Sequence, residues 1–218
     1  MGPFRASHPA SCKVSFKVVI FIRTKVLCAL SQKAILLQEG GGTLTTILQA
    51  RMPDHSADAH ALFAEYLRWV CPKIYEEYEA IFDAEEMIIR DMQKIDIFLP
   101  PKGIFLLAYE DGLLAGCACT RTIETNVAEL KRMYVRPDFR RRGIGASLVK
   151  QTIEEVRRQQ YSIIRLDSAR FMSDAHALYR SLGFTDIDPY DESEIPVQYR
   201  KHWVFMELHL RKKRIADS

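Results

Sequence analysis

The stretch that most constrains this chain is Arg140-Arg141-Arg142-Gly143-Ile144-Gly145-Ala146-Ser147-Leu148. It follows a strand-like run, residues 129–135, closed by Arg136-Pro137. It opens a helix-like run, residues 144–159, with Leu148, Val149, Ile153 and Val156 on one face and the Thr152 methyl beside them. The arginines and glycines therefore sit on a strand-to-helix turn. There a chain offers unpaired backbone N–H groups and the positive end of a helix to an anion. Gly143 and Gly145 leave the backbone open to close approach, and arginine forks match phosphate oxygens. Arginines at a helix start oppose the helix dipole, so they need another reason to be there.

The spacing excludes two phosphate loops. No Lys-Ser or Lys-Thr follows the glycines, as a P-loop requires, and the third glycine position of a dinucleotide fingerprint is Leu148. What remains is R-x-x-G-x-G-A, read on Arg140, Gly143, Gly145 and Ala146. In its strand–turn–helix setting this resembles the coenzyme A pyrophosphate loop of the GNAT superfamily of acyl-CoA-dependent N-acyltransferases. The resemblance implies a cofactor-binding set of Arg140, Arg141, Arg142, Gly143, Ile144, Gly145 and Ala146. It adds Met133 and Val135, whose main-chain groups would pair with the pantetheine arm as an added strand does.

A second motif strengthens the resemblance. Residues 175–184, AHALYRSLGF, are similar to the A-x-x-L-Y-x-x-x-G-F segment of many GNAT enzymes. The resemblance makes Tyr179 the acid that protonates the departing CoA thiolate, while an aromatic packed on the sheet is the other reading. An ordinary tyrosine pKa near ~10 keeps the hydroxyl protonated at neutral pH. Glu129 occupies the position of a general base in several relatives. On a regular strand Glu129, Lys131, Met133 and Val135 share one face and Arg132 takes the other. Glu129 is then either the base or an ion-pair partner of Lys131. One departure is Met172, seven residues before Tyr179, where relatives often carry a coenzyme-contacting asparagine.

The rest of the chain fits that fold. Residues 43–50 read as a strand, helices follow to residue 70 and, after Pro72, over 75–92, and Pro100-Pro101-Lys102-Gly103 breaks the pattern. Strands at 104–109, 113–123 and 128–135 form a meander through an Asp-Gly turn. A strand at 162–166 returns parallel to 128–135 across the crossover helix. A short helix at 174–182 and strands at 185–187 and 204–210 complete it. The expected class is α/β (α+β): a mixed sheet with a central antiparallel meander plus a parallel pair and helices on both faces.

Charge divides the chain. Residues 1–42 carry six basic residues against Glu39, a net of +5, while the remaining 25 basic and 27 acidic residues give −2. The body thus lacks a nucleic-acid footprint. Residues 1–42, ending in Gly40-Gly41-Gly42, are expected to be a poorly structured extension, with a faint transit-peptide composition. Residues 43–211 form the domain and 212–218 a tail. No apolar run reaches about 18 residues, so no spanning helix is expected. Five cysteines in no disulfide-framework spacing suit a reducing, cytoplasmic setting, and none has the His or Cys partners of a metal site. His176, on a short helix, is expected at the surface. The loop 188–200, with Asp186, Asp188, Asp191, Glu192 and Glu194 in and beside it, is either a solvated acidic segment or an attractor of cationic amines.

These features together imply an N-acyltransferase moving acetyl from acetyl-CoA, a co-substrate, to a primary amine. The acceptor is a small molecule or a protein amino group, and the protein a monomer or homodimer. The competing expectation is a non-catalytic acyl-CoA-binding module on the same fold.

Overall fold

The computed structural model describes residues 35–38 and 43–210. Among them eight strands form one sheet in the order β1-β2-β3-β4-β5-β6-β8-β7. The strands are β1 (Ile35–Gln38), β2 (Leu44–Gln49), β3 (Gly103–Glu110), β4 (Leu113–Glu124), β5 (Val127–Val135), β6 (Ile163–Ala169), β7 (Thr185–Ile187) and β8 (Trp203–His209). Every neighbouring pair is antiparallel except β5 and β6. That is the expected meander plus one parallel pair. The β3–β4 turn has Asp111 at φ 49° and Gly112 at φ 79°, as a tight hairpin needs.

Strand β1 lies within the stretch that composition assigns to the extension. It pairs antiparallel with β2, Ile35 opposite Ile47, so the sheet begins before the triple glycine. The rest of that expected extension, and the tail beyond residue 210, lie outside the described residues.

Helices α1 (Ser56–Tyr78) and α2 (Ala84–Gln93) cover one face, and α3 (Ile144–Arg158) and α4 (Ser173–Ser181) the other. The break expected at Pro72 does not occur. Pro72 is exposed, while Leu67, Val70, Cys71 and Ile74 stay buried at helical spacing around it. Continuous burial outweighs the one backbone donor that proline lacks. The helix ends instead at Glu79, at φ 54°, and α2 starts on Asp83, whose side chain accepts from the Glu86 N–H. On the α1 face Phe63 stacks on Phe105 at 5.4 Å. On the α3 face Ile144, Leu148, Val149, Ile153 and Val156 pack against Ile104, Leu106, Ala118 and Leu130.

The feature that shapes everything downstream is a bulge in β5. Cys117 pairs with Tyr134 and Cys119 with Lys131, so Ala118 alone faces both Arg132 and Met133. Arg132 takes φ 51°, and the Cys117 Sγ–H donates to its carbonyl at 3.1 Å. The extra residue reverses the alternation. Lys131 and Tyr134 now turn to the α1–α2 face, whereas Met133 and Val135 pack with the α3 core. The regular-strand expectation that Glu129, Lys131, Met133 and Val135 share a face is therefore corrected. So is the placement of Arg132 opposite Glu129: its guanidinium bonds buried Asp91 of α2 at 2.6 Å.

The parallel pairing of β5 with β6 covers only Val127–Ile163, Ala128–Ile164 and Glu129–Arg165. Beyond Glu129 the two strands diverge, while β6 stays paired with β8 along its whole length.

Close backbone approach between β4 and β5 gives a direct test. A Cβ on Gly116 would lie 2.4 Å from the Tyr134 carbonyl oxygen and 3.1 Å from the Val135 Cα. Gly116→Ala should lower unfolding stability by about 2 kcal/mol. Urea denaturation followed by circular dichroism checks this, and an unchanged midpoint would contradict it.

Candidate active site

The divergence of β5 and β6 opens a cleft of about 620 Å³ that passes through the sheet. On the α3–α4 side it is lined by Met133, Leu166, Ser168, Ala175 and Tyr179, and on the other by Lys131, Asp167 and Glu194. Main-chain groups of β5 past Glu129 have no strand beside them on the β6 side, so an extended ligand could complete the ladder.

The turn into α3 is built to receive an anion. Arg141 (φ 58°) and Gly143 (φ 78°) both take the left-handed backbone region, and Gly143 is the residue at the helix start. The first helical hydrogen bond runs from the Ser147 N–H to the Gly143 carbonyl, so the amides of Ile144, Gly145 and Ala146 have no acceptor within the helix. At Gly145 a Cβ would sit 3.1 Å from the Met133 Cε, so a larger residue would have to displace the methionine tip. These features fit a pyrophosphate. The three arginines are not equivalent. The Arg140 Nε donates to the Val135 carbonyl at 3.0 Å, and its guanidinium lies 5.5 Å above the Trp69 ring. Arg142 pairs with Glu110 at 2.5 Å. Arg141 is exposed and makes no side-chain hydrogen bond or ion pair among the described residues.

Tyr179 is buried against Phe184, and its ring belongs to the α3-side core. Its hydroxyl has no hydrogen-bond partner among the described residues, although the side chain lines the cleft. Burial pushes its pKa well above the ordinary value, with the neighbouring Tyr66 adding to the rise. The hydroxyl keeps its proton across the physiological range.

Glu129 does not reach the cleft. It is 0% exposed, and both carboxylate oxygens are engaged. Arg121 Nε donates to one at 2.6 Å and the Tyr190 hydroxyl to the other at 2.8 Å, with Lys131 Nζ at 3.7 Å. Burial raises its carboxyl above the usual range; Lys131 pulls it down, Asp167 raises it further and Arg121 opposes. Of the two readings the sequence left open, base or ion-pair partner of Lys131, this geometry favours the ion pair.

What sequence reasoning left undecided was the neighbouring acidic segment. Tyr190, Ser193 and Glu194 fold inward: the Ser193 hydroxyl donates to Asp167 at 3.0 Å, and Glu194 meets Lys131 at 3.0 Å and Arg121 at 2.8 Å. Glu194 lines the cleft, and 42% of its side chain stays exposed. Burial raises its pKa, but Lys131 and Arg121 outweigh that and hold it down at about 2. The signal for this was present as an acidic run near a lone strand lysine, but nothing local says which acid turns inward. His176 is another correction. It is buried, with Nε2 3.1 Å from the Ser168 Oγ, because helix α4 lays that turn on β6.

Comparison with known proteins gives a consistent picture. The model of the Acetyltransferase (GNAT) family matches residues 63–184, more than half of the chain. An uncharacterized N-acetyltransferase of Schizosaccharomyces pombe is 29% identical over 169 residues, covering 77% of this chain and 96% of that protein. N-acetylaspartate synthetase of Rattus norvegicus is 34% identical over 109 residues, 49% of this chain but only 36% of that protein's length. Among solved structures, the PaiA N-acetyltransferase of Thermoplasma acidophilum in complex with coenzyme A superposes with a TM-score of 0.59 at 22% identity, over 76% of this chain and 99% of that one.

The depressed Glu194 pKa carries a stability consequence. The ion pairs stabilise the fold fully above the ordinary carboxyl value of 4.5, and this contribution is lost as pH falls from 4.5 to about 2. Urea midpoints measured across that window should fall with pH in the wild type and fall less steeply in Glu194→Gln. Equal slopes would show that the pairing is not coupled to folding.

Proposed function

This chain belongs to the acetyltransferase (GNAT) family and is an acyl-CoA-dependent N-acetyltransferase, and we propose that it transfers the acyl group to a primary amine within the cleft between β5 and β6, with Tyr179 as the acid. The observation that carries the reading is the Tyr179 hydroxyl, protonated and without a hydrogen-bond partner among the described residues, in a cleft bordered by an open strand edge and the start of α3. The thioester of acetyl-CoA supplies the acyl group. The free amides of Ile144, Gly145 and Ala146, with Arg141, would bind the coenzyme's phosphates. The main chain of β5 from Met133 to Val135, past its last rung with β6, would hold its extended arm.

The chemistry balances without a covalent enzyme intermediate. The amine nitrogen forms a bond to the acyl carbon as the carbon–sulfur bond breaks. Of the two protons an ammonium acceptor gives up, one ends on the sulfur by way of Tyr179 and the other in solvent. Glu194, ionised throughout, attracts the ammonium but is too weak a base to keep its proton. Glu129 acts through others: it is a positioning residue, holding Arg121, Lys131 and Tyr190, and through them the segment that carries Glu194. The unbonded, buried thiols of Cys71, Cys117 and Cys119 support a cytoplasmic setting.

Two measurements test these roles. Tyr179→Phe keeps the ring but loses the proton donor, so thiol release should fall at least about tenfold while coenzyme A affinity by calorimetry stays at the wild-type value. A full rate in that variant would remove the acid role. Glu129→Gln should lower stability by about 3 kcal/mol and raise the amine KM, yet leave the shape of the pH–rate profile unchanged. A lost or shifted pH limb would instead restore Glu129 as the base.

A further inference from the structure

The acceptor side of the cleft has a wall of its own. Ile81 and Phe82 come from the connection between α1 and α2, Met87 from α2, and Ile195 and Pro196 from the segment between β7 and β8. The two sides meet through Phe82, whose ring lies 5.9 Å from both Tyr199 and Trp203. Ile81 keeps 76% of its surface in solvent, and so does Val197, which follows Pro196. Large apolar side chains left bare beside a cleft mark a surface that gains by being covered.

The charges around this wall narrow what can cover it. Asp83, Glu86, Arg90 and Lys94 also border the cleft and are exposed, two acids against two bases, so the mouth has no net charge. Deeper in, Lys131 is fully engaged by Glu129, Asp167 and Glu194, and Arg132 by Asp91. Neither is left over to meet a carboxylate on the acceptor. Glu194 is paired too, with Lys131 and Arg121, but unlike Lys131 and Arg132 it keeps 42% of its side chain exposed, leaving room for a further cation.

We propose that the acceptor is a small primary amine bearing one compact apolar group, aromatic or branched aliphatic, with its ammonium at Glu194 and its apolar group between Ile81–Phe82 and Ile195–Pro196. This rests on the acyl-transfer reading of the same cleft. A diamine or an amino sugar would bring a second charge or several hydroxyls against the apolar wall, losing hydration without partners. An amino diacid would bring carboxylates to a site whose inner cations are already paired and whose open group is an anion.

The test separates binding from turnover. Amines are titrated calorimetrically into the full chain saturated with coenzyme A: 2-phenylethylamine and 3-methylbutylamine against putrescine, glucosamine and aspartate. The two apolar amines should bind at least tenfold more tightly than the other three. Ile81→Ser and Ile195→Ser should each weaken 2-phenylethylamine at least fivefold and leave putrescine and coenzyme A affinities unchanged. Ile81 is largely exposed, so its variant does not endanger the core. The proposal is overturned if putrescine, glucosamine or aspartate binds as tightly as 2-phenylethylamine. It is also overturned if both variants keep the wild-type preference, or if a peptide with N-terminal Phe binds tenfold better than the small amine. Thiol release from acetyl-CoA is then read separately. Apolar preference in binding with no release for any amine would uphold the site and remove the transfer reading; release favouring polar amines would do the reverse.

Discussion

The structure depends on a parallel strand pair that stops after three rungs. Strand β5 leaves β6 past Glu129 because it carries one residue more than β4 can match, at Arg132–Met133, and the extra residue adds local twist. Strand β6 cannot follow, being paired with β8 over all seven residues. The result is a sheet interior with unpaired main-chain groups, which would be costly if it were sealed. Here it is a cleft. The bulge is held from both sides: the Arg132 carbonyl accepts from Cys117, and the Arg132 guanidinium is locked to Asp91 on α2. Burial pushes the Cys117 thiol up to about 12, so it remains a donor. Breaking the Arg132–Asp91 pair would strand a charge in the interior, at a cost of several kcal/mol. The opening is therefore an enforced feature of the fold.

The same bulge sorts two kinds of chemistry onto two sides of the cleft. With the alternation reversed, Met133 and Val135 join Leu166 and Tyr179 on the α3–α4 side, where the surroundings are apolar and the helix start offers amides. Lys131 stays on the α1–α2 side with Asp167, Glu194 and, behind them, Glu129 and Arg121. That cluster does structural work first. It ties residues 190–194 to β4, β5 and β6 through the Tyr190 hydroxyl, the Ser193 hydroxyl and the Arg121 guanidinium, which also reaches the Glu192 carbonyl. A segment that would otherwise be a solvated loop becomes a wall of the site.

How much of this the sequence could tell follows from the range of each signal. The glycine-rich turn was legible because its requirements are local: left-handed backbone at Gly143 and close packing at Gly145. Tyr179 was legible as a cleft residue through its motif, and the meander through its turns and alternation. The bulge was not, since one inserted residue leaves the apolar pattern of residues 127–135 almost unchanged while reversing every side chain after it. The continuity of α1 through Pro72 depends on tertiary burial that outweighs a local breaker. Which of its two readings Glu129 takes was out of reach for the same reason in another form. Its partners Arg121, Tyr190 and Lys131 come from three separate segments, and only their convergence turns a candidate base into an anchor.

Burial of Tyr179 poses a problem that its surroundings also resolve. A tyrosine pushed above its ordinary pKa is a weaker acid, and in water it would not protonate an ordinary thiolate, whose conjugate thiol has a pKa near ~8.5. In the proposed reaction, however, the departing sulfur is released into the same cleft. Desolvation disfavours any anion, so it raises the basicity of a thiolate as it raises that of a phenolate. The chain's own thiols shift in the same direction: burial is the largest cause pushing Cys117 up to about 12 and Cys119 well above its ordinary value. In the proposed reaction, proton transfer from Tyr179 is then better matched once the carbon–sulfur bond breaks than before it. The proposed acid is thus a donor that keeps its proton until the thiolate forms, as burial of the Tyr179 hydroxyl allows. A more exposed hydroxyl would be the stronger acid and would face a thiolate that water had already stabilised.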